Sequence, residues 1–175
     1  MKTRLIVAVA LAGLIGLMSG CVGEPTPTET TPAFSSEEEA YAAAEETYRA
    51  YVDALNQVDL SDPETFEPVF ALTTGDANAS ARKTFSQMNA DGWIVSGVSR
   101  YDNFTPASFD PGVGVKVDLC LDVTEVEVTD STGTSMVGPD RLDRQPVRVT
   151  FSEGTLPGTL VIQASEASEG GVCTL

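Results

Sequence analysis

From Val113 to Val123 every odd position is apolar: Val113, Val115, Val117, Leu119, Leu121 and Val123. Lys116, Asp118, Cys120 and Asp122 fall between them. A period of two over that length fits a β-strand with one buried face and no helix. Such a strand needs paired neighbours and a cover for its apolar side, so the domain must contain a sheet with packing on one face. After Val123 the phase slips, because Val126 and Val128 are apolar while Glu125 and Glu127 are not. A one-residue slip predicts a β-bulge, which bends a sheet. Asp130 to Gly133 is a turn signal. Val147, Val149 and Phe151 form a further alternating strand, Leu160 to Ala164 another, and Trp93 to Tyr101 is expected to be the first.

The cover lies upstream. Ser36 and Glu39 fit a capping box, and Glu37 and Glu38 place negative charge at the positive end of a helix dipole. Tyr41, Ala44, Tyr48, Tyr51, Val52 and Leu55 then recur at helical spacing, which predicts about five turns with a core-facing aromatic stripe. Asp62-Pro63-Glu64 starts a second, short helix, with Asp62 as cap and Pro63 in the first turn. Pro68 limits its length. A third helix is expected from Asp76, with Ala77, Ala81, Phe85 and Met88 inward, ending near Gly92. Helices first and strands after define an α+β fold: N-terminal helices packed on a curved antiparallel sheet of about four strands.

With a bent sheet, this order over Ser35 to Leu175 resembles the cystatin-like cone of the nuclear transport factor 2-like superfamily. In that fold a curved sheet wraps a long helix. The chain is similar in particular to small actinobacterial envelope lipoproteins that carry such domains. The resemblance implies a domain over residues 35–175.

The N-terminus gives an address. Lys2 and Arg4 precede an uncharged apolar run of 14 residues, Leu5 to Met18. A membrane-spanning helix needs about 20, so the run reads as an export signal over residues 1–20. Leu17-Met18-Ser19-Gly20-Cys21 resembles the lipobox of bacterial lipoproteins. That resemblance implies cleavage between Gly20 and Cys21 and a diacylglyceryl group on the Cys21 sulfur. Met18 departs from the usual Leu, Val or Ile at its place. Two or more acyl chains give stable anchoring, so the expected location is the extracytoplasmic face of the cell membrane. Residues 21–34 carry Pro25, Pro27 and Pro32 among threonines and read as a solvated tether. Thirteen extended residues (Val22 to Phe34) would span roughly 40 Å at about 3.1 Å each.

Composition removes several functions. Ten Lys plus Arg face 26 Asp plus Glu, a net charge of −16, which becomes about −18 once Lys2 and Arg4 leave with the signal. Nucleic acid is not an expected partner, since phosphate binding needs clustered basic residues. The chain has no histidine. Ser-His-Asp triads, Cys-His dyads and histidine-ligated zinc are excluded.

With Cys21 assigned to lipid, Cys120 and Cys173 remain, an even pair expected to be oxidised outside the cytoplasm. Two unpaired buried thiols are the alternative. No Cys-x-x-Cys supports redox catalysis. Asp118 or Asp122 with Tyr48 are the candidates for acid–base work, although nothing in their spacing makes them converge. Asp59, Asp62 and Glu64 form an acidic knot lacking the glycine and closing glutamate of a calcium loop. Gly112-x-Gly114 precedes a strand, so it forms no phosphate cradle, and the sequons at Asn78 and Asn103 are uninformative in a bacterial lipoprotein. No cofactor or metal is expected.

Three functions follow. The leading one is a non-enzymatic, surface-displayed module that binds an envelope protein or component, with the acidic face of the first helix as one docking surface. A small-molecule binder using the cone's mouth and an isomerase- or dehydratase-type enzyme are the alternatives.

Overall fold

The structure, a computed structural model, describes residues 33–169 and 171–173. The export signal, Gly20, Cys21 and the tether up to Pro32 lie outside the described residues. No helix among the described residues is long and apolar enough to cross a membrane.

Helix α1 (Glu37–Leu55) is capped by Ser36, whose hydroxyl accepts from Glu39 N at 3.2 Å. The reciprocal arm of the cap is displaced by one residue: Glu39 accepts from the N and Oγ of Ser35, at 2.9 and 2.6 Å. A 3₁₀ turn (Pro63–Phe66) under the Asp62 cap runs into α2 (Glu67–Ala71), and α3 spans Gly75–Ala90. Six strands follow: β1 (Ile94–Ser96), β2 (Arg100–Asp110), β3 (Gly114–Asp122), β4 (Glu127–Thr129), β5 (Arg144–Glu153) and β6 (Leu160–Ala167). The main sheet is antiparallel in the order β2-β3-β5-β6, and β1 pairs with β4 in a separate ribbon. The fold is α+β, with helices packed on one face of a bent four-stranded sheet in a cone-like arrangement.

Alternation in β3 becomes the core. Val115, Val117 and Leu119 are buried together with Val147, Val149 and Phe151 of β5 and Leu160 and Ile162 of β6. From the other side come Ala40, Ala44, Tyr48 and Val52 of α1, so the long helix lies in the sheet's hollow. Burying each large apolar side chain contributes about 1.5–3 kcal/mol, which makes this layer the main source of stability. Phe34, assigned from sequence to the tether, is 7% exposed and belongs to this core. A single phenylalanine after a proline-rich run carries no periodic signal to reveal that. A second cluster under α3 joins Leu60, Phe66 and Phe70 to Phe85, Met88 and Trp93.

Two expectations are corrected. The phase slip after Val123 is a change of sheet and not a bulge. β3 ends at Asp122, Val126 N donates to Val123 O at 3.0 Å to close a turn, and the chain re-enters as β4 beside β1. Arg141 holds that turn, donating to the carbonyls of Val126 and Val123 at 2.9 and 3.2 Å. The sheet's irregularities lie instead in β2, beside Asp102–Thr105 and Pro106–Ser108, and where β5 meets β6 near Thr150. The expected first strand, Trp93 to Tyr101, divides: β1 ends at Ser96, and Arg100 opens the 11-residue strand β2. Gly97 stands between them, where a Cβ would collide with the Glu125 carbonyl, so the ribbon closes only around glycine.

Candidate functional site

The titratable residues singled out from sequence do not share a site. Tyr48 is 2% exposed between α1 and the sheet, edge-on to Tyr101 with ring centroids 4.9 Å apart. Burial pushes its hydroxyl above the usual tyrosine range, with the neighbouring Tyr51 and Tyr101 adding to the shift. Asp118 and Asp122 leave β3 on the opposite face. Arg148 donates to both Asp118 oxygens, at 2.9 and 2.7 Å, and Ser168 Oγ adds a contact at 3.3 Å. Arg144 donates from Nη1 to Asp122 at 3.0 Å and from Nη2 to both oxygens of Asp102 at 2.9 Å. The sheet stands between Tyr48 and the two acids, so they cannot act on one substrate.

These arginine–carboxylate contacts tie β2, β3 and β5 together across the outer face. The Arg148 hydrogen bonds hold the Asp118 carboxyl below the ordinary carboxylate range. Asp122 is lowered chiefly by Thr124 N, with Arg144 adding less. A carboxyl lowered in the fold contributes stability above its unfolded value of about 3.9, and the contribution fades as pH falls through the folded value. Unfolding free energy by urea titration should therefore hold steady from about pH 7 to pH 5 and then decline below about pH 4. Asp118→Asn should lessen that acid slope. An unchanged slope would assign the acid sensitivity to other carboxylates.

On the same outer face Cys120 is fully buried, because Cys173 covers it: the two form a disulfide with Cα atoms 5.0 Å apart. Asn103 contributes to the same fastening. It takes φ 53°, a left-handed conformation that asparagine tolerates, within an irregular part of β2. There its Nδ2 donates to Val172 O at 2.7 Å. The C-terminal segment is thus laid across the sheet.

The remaining motifs are local structure. Asp59 accepts from Ser61 N and Oγ at 2.8 and 2.7 Å, and Asp62 accepts from Glu64 N at 3.1 Å. No cluster of three or more His, Cys, Asp or Glu suited to a metal occurs among the described residues. Gly112 and Gly114 shape the β2–β3 hairpin, where a Cβ on Gly114 would meet the Phe151 carbonyl. Asn78 is part-buried and donates to Phe70 O and Thr73 Oγ1, each at 2.9 Å.

Concave surface opens at the β6 side. One groove of about 340 Å³ runs between α1, α3 and β6, with Tyr51, Leu55, Ala81 and Phe85 among its walls. A second, of about 530 Å³, is bounded by Leu121, Leu142 and Val147 beside Ala167 and Ser168. Ser165 and Glu166 border both. Sequence reading missed this place, because its walls come from segments far apart in the chain, among them α1, α3, β3, β5 and β6. The acidic face of α1 is exposed at Glu37, Glu38, Glu45, Glu46 and Asp53, with Arg49 3.6 Å from Glu45.

No protein-family model matches the chain, and no curated protein does. Solved structures are similar to it in part. One is a protein from Catenulispora acidiphila, 17% identical, covering 73% of this chain and 89% of that one, with a TM-score of 0.48. Another is the VirB8 protein of Agrobacterium tumefaciens, 13% identical, covering 79% of this chain and 98% of that one, with a TM-score of 0.44.

Proposed function

We propose that the chain is an envelope lipoprotein, anchored through Cys21 on the extracytoplasmic face, whose cone-like domain of the nuclear transport factor 2-like kind binds a partner without catalysing a reaction. One observation carries the reading. The space between α1 and the sheet, where such a cone would hold a reacting substrate, is filled by Tyr48, Leu119, Val149 and Phe151, each no more than 2% exposed. The acids nearest in sequence to a catalytic pattern, Asp118 and Asp122, are engaged with arginines on the far face. The open concave surface includes the grooved end beside β6. The N-terminal pattern from Lys2 to Cys21 supplies the anchor.

Two measurements test the two halves. In a bacterial host, Cys21→Ala should abolish fatty-acid labelling and release the protein from the membrane fraction, whereas labelling that persists would sink the anchor. In a deletion strain, Asp118→Asn and Tyr48→Phe should still complement. Thr84→Arg, at an exposed position on the α3 wall of the groove, should not, with circular dichroism showing a folded domain. Loss of function from either conservative change, fold intact, would put an enzyme first.

A further inference from the structure

β6 is an outer strand of the main sheet, and among the described residues its outer edge is paired at Ile162. Ser168 N donates to Pro146 O at 2.8 Å, which makes those two a hydrogen-bonded pair. Bonded and non-bonded pairs alternate along an antiparallel ladder. Arg148–Glu166 and Thr150–Ala164 are therefore bonded pairs, and the backbone groups of Ser165 and Ala167 point away from β5. The irregularity near Thr150 resets the phase, so Ile162 also points outward, and it is occupied. Ile162 N donates to Leu72 O at 2.9 Å, and Thr74 N donates to Ile162 O at 2.8 Å. Thr73 thereby forms a parallel bridge with Ile162. Among the described residues no backbone hydrogen bond extends this pairing to Ser165 or Ala167.

Native proteins blunt such edges with proline, bulges or lysine, as β2 does at the other side of the sheet with Pro106 and two irregularities. Ala164-Ser165-Glu166-Ala167 carries no proline or lysine, the irregularity lies before it at Gln163, and the small side chains of Ala164, Ser165 and Ala167 let a second backbone come close. The two grooves described above meet here, with room for side chains from an added strand. Charge selects the occupant. Glu166 stands on the strand and Asp76 across the first groove, while Arg148 is engaged 2.7 Å from Asp118 and Arg141, which lines the second groove, donates to the Val126 and Val123 carbonyls at 2.9 and 3.2 Å. A second copy of the exported chain would set Glu166 against Glu166 and one net charge of about −18 against another.

We propose that an extended segment of a partner protein, with alternating basic and apolar residues, adds to the sheet beside β6 through the backbone of Ser165 and Ala167. This rests on the binding-module reading and gives its partner a chemistry. The probe is a display library of random decapeptides selected against the full exported chain. Selected peptides should alternate basic and apolar residues and bind more weakly as salt rises. Ser165→Pro removes an outward N–H and leaves the β5 ladder intact, so it should weaken binding tenfold or more. Ser165→Ala should stay within twofold of wild type. Ala167→Pro repeats the test if the first variant fails to fold by circular dichroism. A library yielding no binder, binders without the alternating basic pattern, or binders indifferent to both prolines would each overturn the proposal. So would a wild-type dimer in sedimentation that Ser165→Pro dissociates. Failure here leaves the Cys21→Ala and Thr84→Arg results standing, so the broader reading is judged separately.

Discussion

Replacing Tyr48 by alanine should cost about 3–5 kcal/mol, the range for deleting a large buried aromatic, while phenylalanine should cost far less. The ring is fully enclosed where α1 enters the hollow of the sheet. It meets Tyr101 of β2 edge-on at 4.9 Å and Tyr51 at 5.8 Å. Alanine would leave a cavity between a helix and a sheet that cannot both move inward, because Val117, Leu119 and Val149 are themselves fully packed. Phenylalanine keeps the ring and the aromatic contacts. Urea denaturation of the two variants measures the difference. Equal losses from alanine and phenylalanine would show that the hydroxyl stabilises the domain rather than the ring, and would revive a chemical role for it. The same burial carries a sign in alkali. A tyrosine raised in the fold lends stability that is present below its unfolded value of about 10 and is lost as pH climbs beyond it.

The core was legible because burial enforces a period. Val115, Val117 and Leu119 must all face α1, so selection for packing leaves an alternation that any reader can find. β2 shows the converse. It is the other outer strand of the sheet, most of its side chains are exposed, and Arg100–Asp110 alternates nowhere cleanly, so nothing in its sequence announced a strand. The slip at Val123 was visible but ambiguous, since a bulge and a move to another sheet shift the phase alike. The Arg144 and Arg148 pairings joined residues 22 to 42 apart, a distance at which composition is silent. The cysteines were readable for a different reason: after Cys21 an even pair remained, and counting needs no geometry. The grooves beside β6 depend on how α3 lies against an edge strand, which no local pattern encodes.

Breaking the Cys120–Cys173 link should be the second large loss. The bridge closes 53 residues, for which the chain-entropy model gives roughly 4 kcal/mol as an upper figure, with about 2–4 kcal/mol the usual yield. In a domain of this size that corresponds to a fall in melting temperature of about 10 °C. The loss should have a location as well as a size. Released, the tail loses its covalent tie, while fastenings such as Asn103 on Val172 O at 2.7 Å, Ser168 N on Pro146 O at 2.8 Å and Ser168 Oγ on Asp118 at 3.3 Å remain. Cys173→Ser should therefore speed amide exchange first in Ser168 to Val172 and at the end of β6, and expose the Cys120 thiol to alkylation. The helix–sheet core around Tyr48 should keep its protection until global unfolding. Asn103→Ala should loosen the same tail with a cost of about 1 kcal/mol, the ordinary worth of one hydrogen bond. Two observations would refute the account: free thiols at both cysteines in protein recovered from an oxidising envelope, or a Cys173→Ser variant that melts with the wild type.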